Sequence, residues 1–379
     1  MLRANSMVQP GTRILTTHTG SLPRPPELSD LMLKHDAGEF DDLASLRLQV
    51  ARATVDVVKR QRETGIDILN DGEYGKVSYS GYVKERLSGF EGEPRQRNMV
   101  DPEFPDWQRS APPRVRYPTN NGPVELRDPG GVRRDIANLQ AAIDASGVRR
   151  ADTFMSAASP GVIDTFMPST FYASEEEYLR AIGAAMRDEY RAIVEAGFIL
   201  QVDCPDLAMS RVMRFRHLSV DEFRQVARMH VDVLNDALQD LPREKLRLHL
   251  CWGNFAGPHI HDVPLQDILD IALQARVGAL SFEAANPRHA HEWKVWKDAP
   301  LPDDLVLIPG VIDSCTNYVE HPELVAERLQ HFVDMVGPER VIASTDCGFG
   351  TSVGPRDVPP SIAWAKLQAM VDGARLVEG

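Results

Sequence analysis

The sequence predicts an α/β fold of the (β/α)8, or TIM-barrel, class, and three observations carry that expectation. Eight short strand-like segments recur: RILTTHTG, IDILNDGEYG, ADTFMSAASPG, FILQVDCPD, LRLHLCWGN, GALSFEAAN, LVLIPGVID and RVIASTDCGFG. Each closes on polar, Gly or Pro residues. Between most of them lie stretches of helical periodicity, at 43–64, 176–196, 221–239, 266–276 and 321–336, so strand and helix alternate as a parallel barrel requires. No G-x-G-x-x-G or Walker A loop stands where the competing architecture, a doubly wound nucleotide-binding sheet, would need one.

Taken in order, residues 1–12 read as a flexible leader with Met7 as an alternative start, and 13–379 as a single barrel domain. The second and third strands are separated by roughly seventy residues, far beyond an ordinary loop, which marks an insertion at about 78–150. That insertion is rich in Pro, Gly and Arg. Within RVRYPTNNGPVELR, Asn121-Gly122 falls between two alternating segments, the signal of a type I′ hairpin. The expected result is a hairpin arm beside the barrel mouth, serving as cover, lid or oligomer contact.

The chain has 379 residues, 43% of them hydrophobic and 26% charged, an ordinary globular composition with material for a large core. Its formal charge of −13 is spread without a basic block, which argues against nucleic acid and anionic membrane as partners. No apolar run reaches the ~18 residues of a membrane span, and the first residues lack a secretory h-region, so a cytoplasmic location is expected. Four cysteines make no disulfide framework in a chain of this length; metal or catalytic use fits them better. Homo-oligomerisation is left open.

In barrels the chemistry is built at the carboxyl ends of the strands, and here those ends are polar. They carry His18 with Gly20-Ser21, Asp71 and Glu73, Ser156 and Ser159, Asp203 with Cys204, His249 with Cys251, Glu283, Asp313 with Cys315, and Asp346 with Cys347. His249 and Cys251 are two apart, so on a strand they point to one face and can reach one ion together. One imidazole, two thiolates and a carboxylate, from His249, Cys251, Cys347 and Glu283, suit Zn2+, with the carboxylate as a replaceable ligand. The bland readings stand beside these. A free cysteine is usually core, His18 can orient a loop, Asp71 can cap a helix, and Asp346 can brace a turn. Cys204, Cys315 and the pair His289 and His291 are the alternative ligands.

With those residues in place the chain resembles the catalytic domain of cobalamin-independent methionine synthase and its single-domain relatives, over nearly its whole length. TTHTGSLPRP matches the opening T-T-x-x-G-S-x-P, DGEYG a G-E-x-x loop, QVDCPDLA an acidic segment before Pro, HLCWGN the H-x-C, EAAN the zinc-binding glutamate, and TDCGFGT the D-C-G turn. The resemblance implies a zinc-dependent methyl or alkyl transfer to a thiol, homocysteine above all, giving methionine, with the thiol bound to zinc as thiolate. It implies that Gly20 and Ser21 hold the carboxylate of homocysteine, with His18 and Arg24 nearby, and that Glu73 and Asp203 take its ammonium. An amino-acid substrate needs such anions near its amine.

Two departures bear on the alkyl donor. The segment SAASPGVIDTF lacks the family's Trp, and GVIDSC places Cys315 where the family has a histidine acid. A neutral thiol is a poor proton donor. The donor is therefore open among methyl-tetrahydrofolate, a methylcorrinoid protein and an epoxide. Two other readings stand beside the first: alkylation of coenzyme M, as in epoxyalkane:coenzyme M transferase, and a zinc- or thiol-binding barrel without turnover.

Overall fold

The computed structural model of the chain describes residues 13–94, 103–107, 115–354 and 357–377; the leader at 1–12 lies outside them. Seven parallel strands form one curled sheet: β1 (Leu15–Thr16), β2 (Phe154–Ala158), β3 (Ile199–Asp203), β4 (Leu246–Leu250), β5 (Ala279–Phe282), β6 (Val306–Ile312) and β7 (Ile342–Thr345), in the order β1-β7-β6-β5-β4-β3-β2. The eighth expected strand is present as a single bridge. Leu69 pairs with Thr153, the Ile68 amide donates to Thr16 O at 3.0 Å, and the Phe154 amide to Leu69 O at 2.9 Å. These bonds close the ring between β1 and β2. The segment is too short for a regular ladder because the chain turns at once: Asn70 Oδ1 accepts from the Gly72 amide at 2.8 Å, and Gly72 and Glu73 both have positive φ, 66° and 59°.

The helical periodicities at 43–64, 176–196, 221–239 and 321–336 fold as Leu43–Thr64, Glu175–Glu195, Val220–Leu238 and Pro322–Val336. Their starts have side-chain caps. Asp42 accepts from the Ser45 amide and Ser174 from that of Glu177, while Ser219 and Glu222 make a reciprocal capping box. The stretch at 266–276 differs, giving only a 3-10 turn and the helix Leu269–Ala272, because Ile268 at φ −130° breaks the path.

The long excursion after the second strand differs from the expected hairpin. Neither Asn121 nor Gly122 has positive φ, which a type I′ turn requires at both. The antiparallel contacts instead join Leu87 to Leu126 and Pro94 to Pro118. The Asn121 amide docks on Gly89 O at 2.9 Å, where a side chain at residue 89 would collide with the backbone of Gly122 and Pro123. The excursion leads into the helix Gly130–Ser146, packed beside Leu43–Thr64. Arg86 anchors it, donating to Glu189 at 2.7 Å and to Asp135 and lying 4.5 Å over the Tyr82 ring.

The barrel interior rises in layers, because residues two apart share a face. Phe154, Ile199, Ala279, Ile308 and Ile342 form an apolar plug separate from the main core between sheet and helices. Above it come polar side chains: Arg247 donates to Gln201 Oε1 at 2.8 Å and lies 3.5 Å over the Phe154 ring. One further step of two along the same strands reaches Asp203 and His249, which are register neighbours. No helix among the described residues is long and apolar enough to cross a membrane.

Candidate metal centre and substrate site

His249, Cys251 and Cys347 come together at the ends of β4 and β7, with one donor atom from each within 4.8 Å of the others and all three residues buried. The two sulfurs are 3.0 Å apart as free thiols, and Cys347 Sγ stands 3.8 Å from His249 Nε2. Glu283, at the end of β5, lies one step outside this trio, its Oε1 3.6 Å from Cys347 Sγ. Its carboxylate is held on both sides, by the Trp252 amide at 2.7 Å and Asn286 Nδ2 at 2.6 Å.

These donors fit a soft-to-borderline dication. His249 turns Nε2 towards the sulfurs, and its Nδ1 is buried without a hydrogen-bond partner. Burial, with Arg247 behind it, pulls His249 down to about 3, so the ring is neutral and able to ligate. The Cys347 contact lowers Cys251, but burial and the Glu283 carboxylate outweigh it and leave that thiol at about 11. Burial raises Cys347 further and lifts Glu283 as well. The pocket thus disfavours the very thiolates it brings together unless a cation joins them.

Supporting residues fix the ligands. Asp346 accepts from the amides of Ala284, Ala285 and Asn286 at 2.8–2.9 Å, shaping the loop that carries Glu283. Gly348 is required where it stands, because a Cβ would run into Ser21. That contact brings the Cys347 turn onto the Gly20-Ser21 turn. Asn254 donates to Gly348 O at 2.7 Å and accepts from Cys315 Sγ at 3.0 Å. Cys315 therefore sits beside the cluster, though not in it.

Next to this cluster, across β1 to β3, lies an anionic pocket. Glu73 Oε1 accepts from Ser156 Oγ at 2.5 Å, while Oε2 is buried and unpartnered. Asp203 Oδ1 accepts from Gln201 at 2.7 Å, and burial plus the charge of Glu73 push Asp203 up to about 8. Lys76 Nζ, donating to Ser156 O at 2.5 Å, partly balances this pair. Asp71 accepts from the Glu73 amide at 2.9 Å and shapes the turn.

Several residues have other roles than the sequence reading gave them. His18 is 1% exposed, with Nε2 on Gln61 at 2.8 Å and Nδ1 accepting from the Gly20 amide at 3.2 Å. It positions Gly20, and that amide is no longer free for a carboxylate. Arg24, 1% exposed, braces loops through Gly350 O at 2.6 Å, Glu73 O at 2.7 Å and Lys76 O at 2.9 Å. Cys204 is buried and lies outside the thiol cluster. His289 is stacked on Trp252 and held by Glu292 at 2.7 Å and Asp262 at 3.1 Å, while His291 is exposed; neither joins the cluster. Asn254, Asn286, Gln201 and Arg247 were not singled out from the sequence. The last two were legible as the inward positions two residues before Asp203 and His249.

Fold and site together define a TIM-barrel protein with a thiol, imidazole and carboxylate centre at its strand ends. The model of the family described as the cobalamin-independent synthase catalytic domain matches residues 164–376, more than half of the chain. The chain belongs to this family of methyltransferases. A methionine synthase of Sulfolobus acidocaldarius is 24% identical over 369 residues, covering 97% of this chain and 93% of that protein. A B12-independent methionine synthase from Shewanella, solved with selenomethionine, has a TM-score of 0.70 at 19% identity, covering 96% of this chain and 97% of that one. A putative B12-independent methionine synthase from Listeria monocytogenes has a TM-score of 0.67 at 19% identity, with 98% and 100% covered.

Proposed function

We propose that the chain transfers a methyl group to homocysteine, with Zn2+ held by His249, Cys251 and Cys347 and with Glu283 as the fourth, exchangeable ligand. The observation that carries this is the convergence of the three buried donor atoms within 4.8 Å, set beside a carboxylate already oriented by Trp252 and Asn286. Relatives named methionine synthases span nearly the whole chain. When bound, zinc supplies the charge that keeps a thiol as thiolate at neutral pH.

The residues of the chain do the rest. Glu73 offers an unpartnered buried oxygen, and Asp203 is a carboxyl poised between charge states by its neighbour; an ammonium satisfies both. Ser21 is what the first turn has left to meet the substrate carboxylate, since His18 takes the Gly20 amide. Trp252 and Asn286 orient Glu283, which would serve as the exchangeable ligand of a bound zinc. The anionic pair disfavours coenzyme M, whose sulfonate would want cations. Free ligand thiols fit a reducing, cytoplasmic setting.

Metal analysis followed by zinc-edge X-ray absorption tests the reading. About one sulfur should be gained on adding homocysteine and none on adding coenzyme M. Cys251→Ser and Cys347→Ser should lose zinc from this centre while Cys204→Ser keeps it; an unaltered sulfur shell in both cysteine variants would refute the site.

A further inference from the structure

Behind the ends of β2 and β3, towards the helix layer, a second group of side chains converges. Asp164 stands on the short helix Pro160–Phe166, Glu175 opens the helix Glu175–Glu195, and His230 lies within Val220–Leu238. One ligand-type atom from each lies within 4.8 Å of the other two. Asp164 Oδ1, Glu175 Oε1 and His230 Nε2 are all buried, and none has a hydrogen-bond partner. The side chains of Asp164 and His230 are each 1% exposed. Buried polar atoms that face one another without a proton or cation between them are unfavourable.

The surroundings have the form of a metal site's supporting shell. His230 Nδ1 pairs with Asp206 Oδ2 at 2.9 Å, and Asp206 Oδ1 accepts from Ser159 Oγ at 2.5 Å. A carboxylate on one imidazole nitrogen fixes the tautomer that leaves the other free to ligate. Residue 161 is glycine where any Cβ would overlap Asp206 and His230, so the chain leaves room for this pair. His230 Nε2 and Glu175 Oε1 are 3.6 Å apart, long for a hydrogen bond. Two ligands each about 2.1 Å from a tetrahedral ion stand about 3.4 Å apart.

Charge points the same way. Arg214 touches Asp164 Oδ2 and lies 3.7 Å from Glu175 Oε1, leaving Asp164 Oδ1 open. Burial opposes a charge on His230, but Asp206 and Glu175 outweigh it and raise the ring to about 9. A cation at Nε2 would displace that proton, and the carboxylates of Asp164, Glu175 and Asp206 then exceed the one guanidinium by two charges. One dication restores balance. We propose that Asp164, Glu175 and His230 bind a divalent first-row ion, zinc or manganese, at a thiol-free site that fastens the two helices after β2 to the helix Val220–Leu238. One imidazole with carboxylates suits either ion. The competing account puts two protons there, on His230 and between the two acids.

The test uses the full chain, stripped with chelator and titrated with Zn2+ and Mn2+, with bound metal counted after desalting and affinity read by calorimetry. Wild type should bind about two zinc ions, and the Cys251→Ser/Cys347→Ser double variant about one. Adding Glu175→Gln or Asp164→Asn to that variant should weaken the remaining ion by ~10-fold or more. Glu175 is a quarter exposed, so its change leaves the core intact should the Asp164 variant fail to fold. If the double variant fails to fold, Glu175→Gln in wild type takes its place and should lower the zinc count from two towards one. Wild type holding a single zinc, a folded double variant that binds neither ion, or binding unmoved by both acid substitutions would overturn the site in favour of protons.

Discussion

Asn286 donates its side-chain amide to Glu283 Oε2 at 2.6 Å and to Asp346 Oδ2 at 3.2 Å, so one amide aims the Glu283 carboxylate and ties it to the acid that shapes its loop. Glu283 would otherwise be a buried carboxylate with only the Trp252 amide to direct it. Asn286→Ala should weaken zinc affinity by ~10–100-fold, the usual effect of losing a partner behind a metal ligand. The loop should persist, because Asp346 still holds three backbone amides. Chelator competition checks this, and wild-type affinity would show that Trp252 alone orients Glu283.

Gly20 joins the two halves of the proposed substrate pocket. Its φ is +142°, and a Cβ there would stand 2.6 Å from Glu73 Oε1. Gly20→Ala should therefore cost about 1–3 kcal/mol in stability through backbone strain and push Glu73 off its position. Homocysteine binding should fall at least tenfold while zinc content is unchanged. Calorimetry beside metal analysis separates the two effects; equal loss of both would mean that the turn supports the metal centre instead.

What the sequence made legible was whatever repeats locally. Strand and helix alternation is written in short windows, and the pairing of His249 and Cys251 on one face follows from a period of two. The second strand was not legible as a mere bridge, because its irregularity comes from the Asn70 to Glu73 turn folding under Gly20. Asn121-Gly122 carries a hairpin signal that tertiary contact with Gly89 overrides. His289 looked like a spare ligand until its partners Asp262 and Glu292, brought by the fold, occupied both nitrogens. Asn254 and Asn286 act across 94 and 60 residues of sequence, on Gly348 and Asp346. No local pattern encodes that.

His18 should give the fold a measurable acid sensitivity. Burial pulls it from 6.5 down to about 4, against the opposing bond to Gln61. Between those values the unfolded chain binds a proton that the folded chain refuses, so its stabilising effect is complete above pH 6.5 and is lost as pH falls towards 4. The loss amounts to about 3 kcal/mol over that window. Asp71, raised by burial to about 6, works in the opposite direction, favouring the fold as pH falls below its own value. Urea unfolding of wild type and His18→Gln across pH 4–7 isolates the histidine, since Asp71 is common to both. The variant should be less stable at pH 7, and the two pH dependences should differ by about one proton; parallel curves would mean that His18 takes up its proton at the same pH in the folded and the unfolded chain.

The last expectation concerns the alkyl donor, and it turns on Cys315. Burial, with Asp313 and Glu283 nearby, pushes its thiol well above the ordinary range, and its hydrogen is directed to Asn254 Oδ1 at 3.0 Å. A group so reluctant to release its proton is a poor general acid, and the N5 of a reduced folate leaves readily only when protonated. Methyl-tetrahydrofolate should accordingly be a slow donor, whereas methylcobalamin or a small epoxide, which carry more activated carbon, should alkylate the bound homocysteine faster. Cys315→His places an imidazole next to Asn254 and should raise the folate rate by ~10²-fold, the lower range for a well-placed acid, while leaving the activated donors nearly unchanged. Single-turnover alkylation with each donor, wild type against variant, reads this directly. Rapid methyl transfer from the folate by wild type would assign the proton to another group in the pocket, and with it the donor that the single barrel uses.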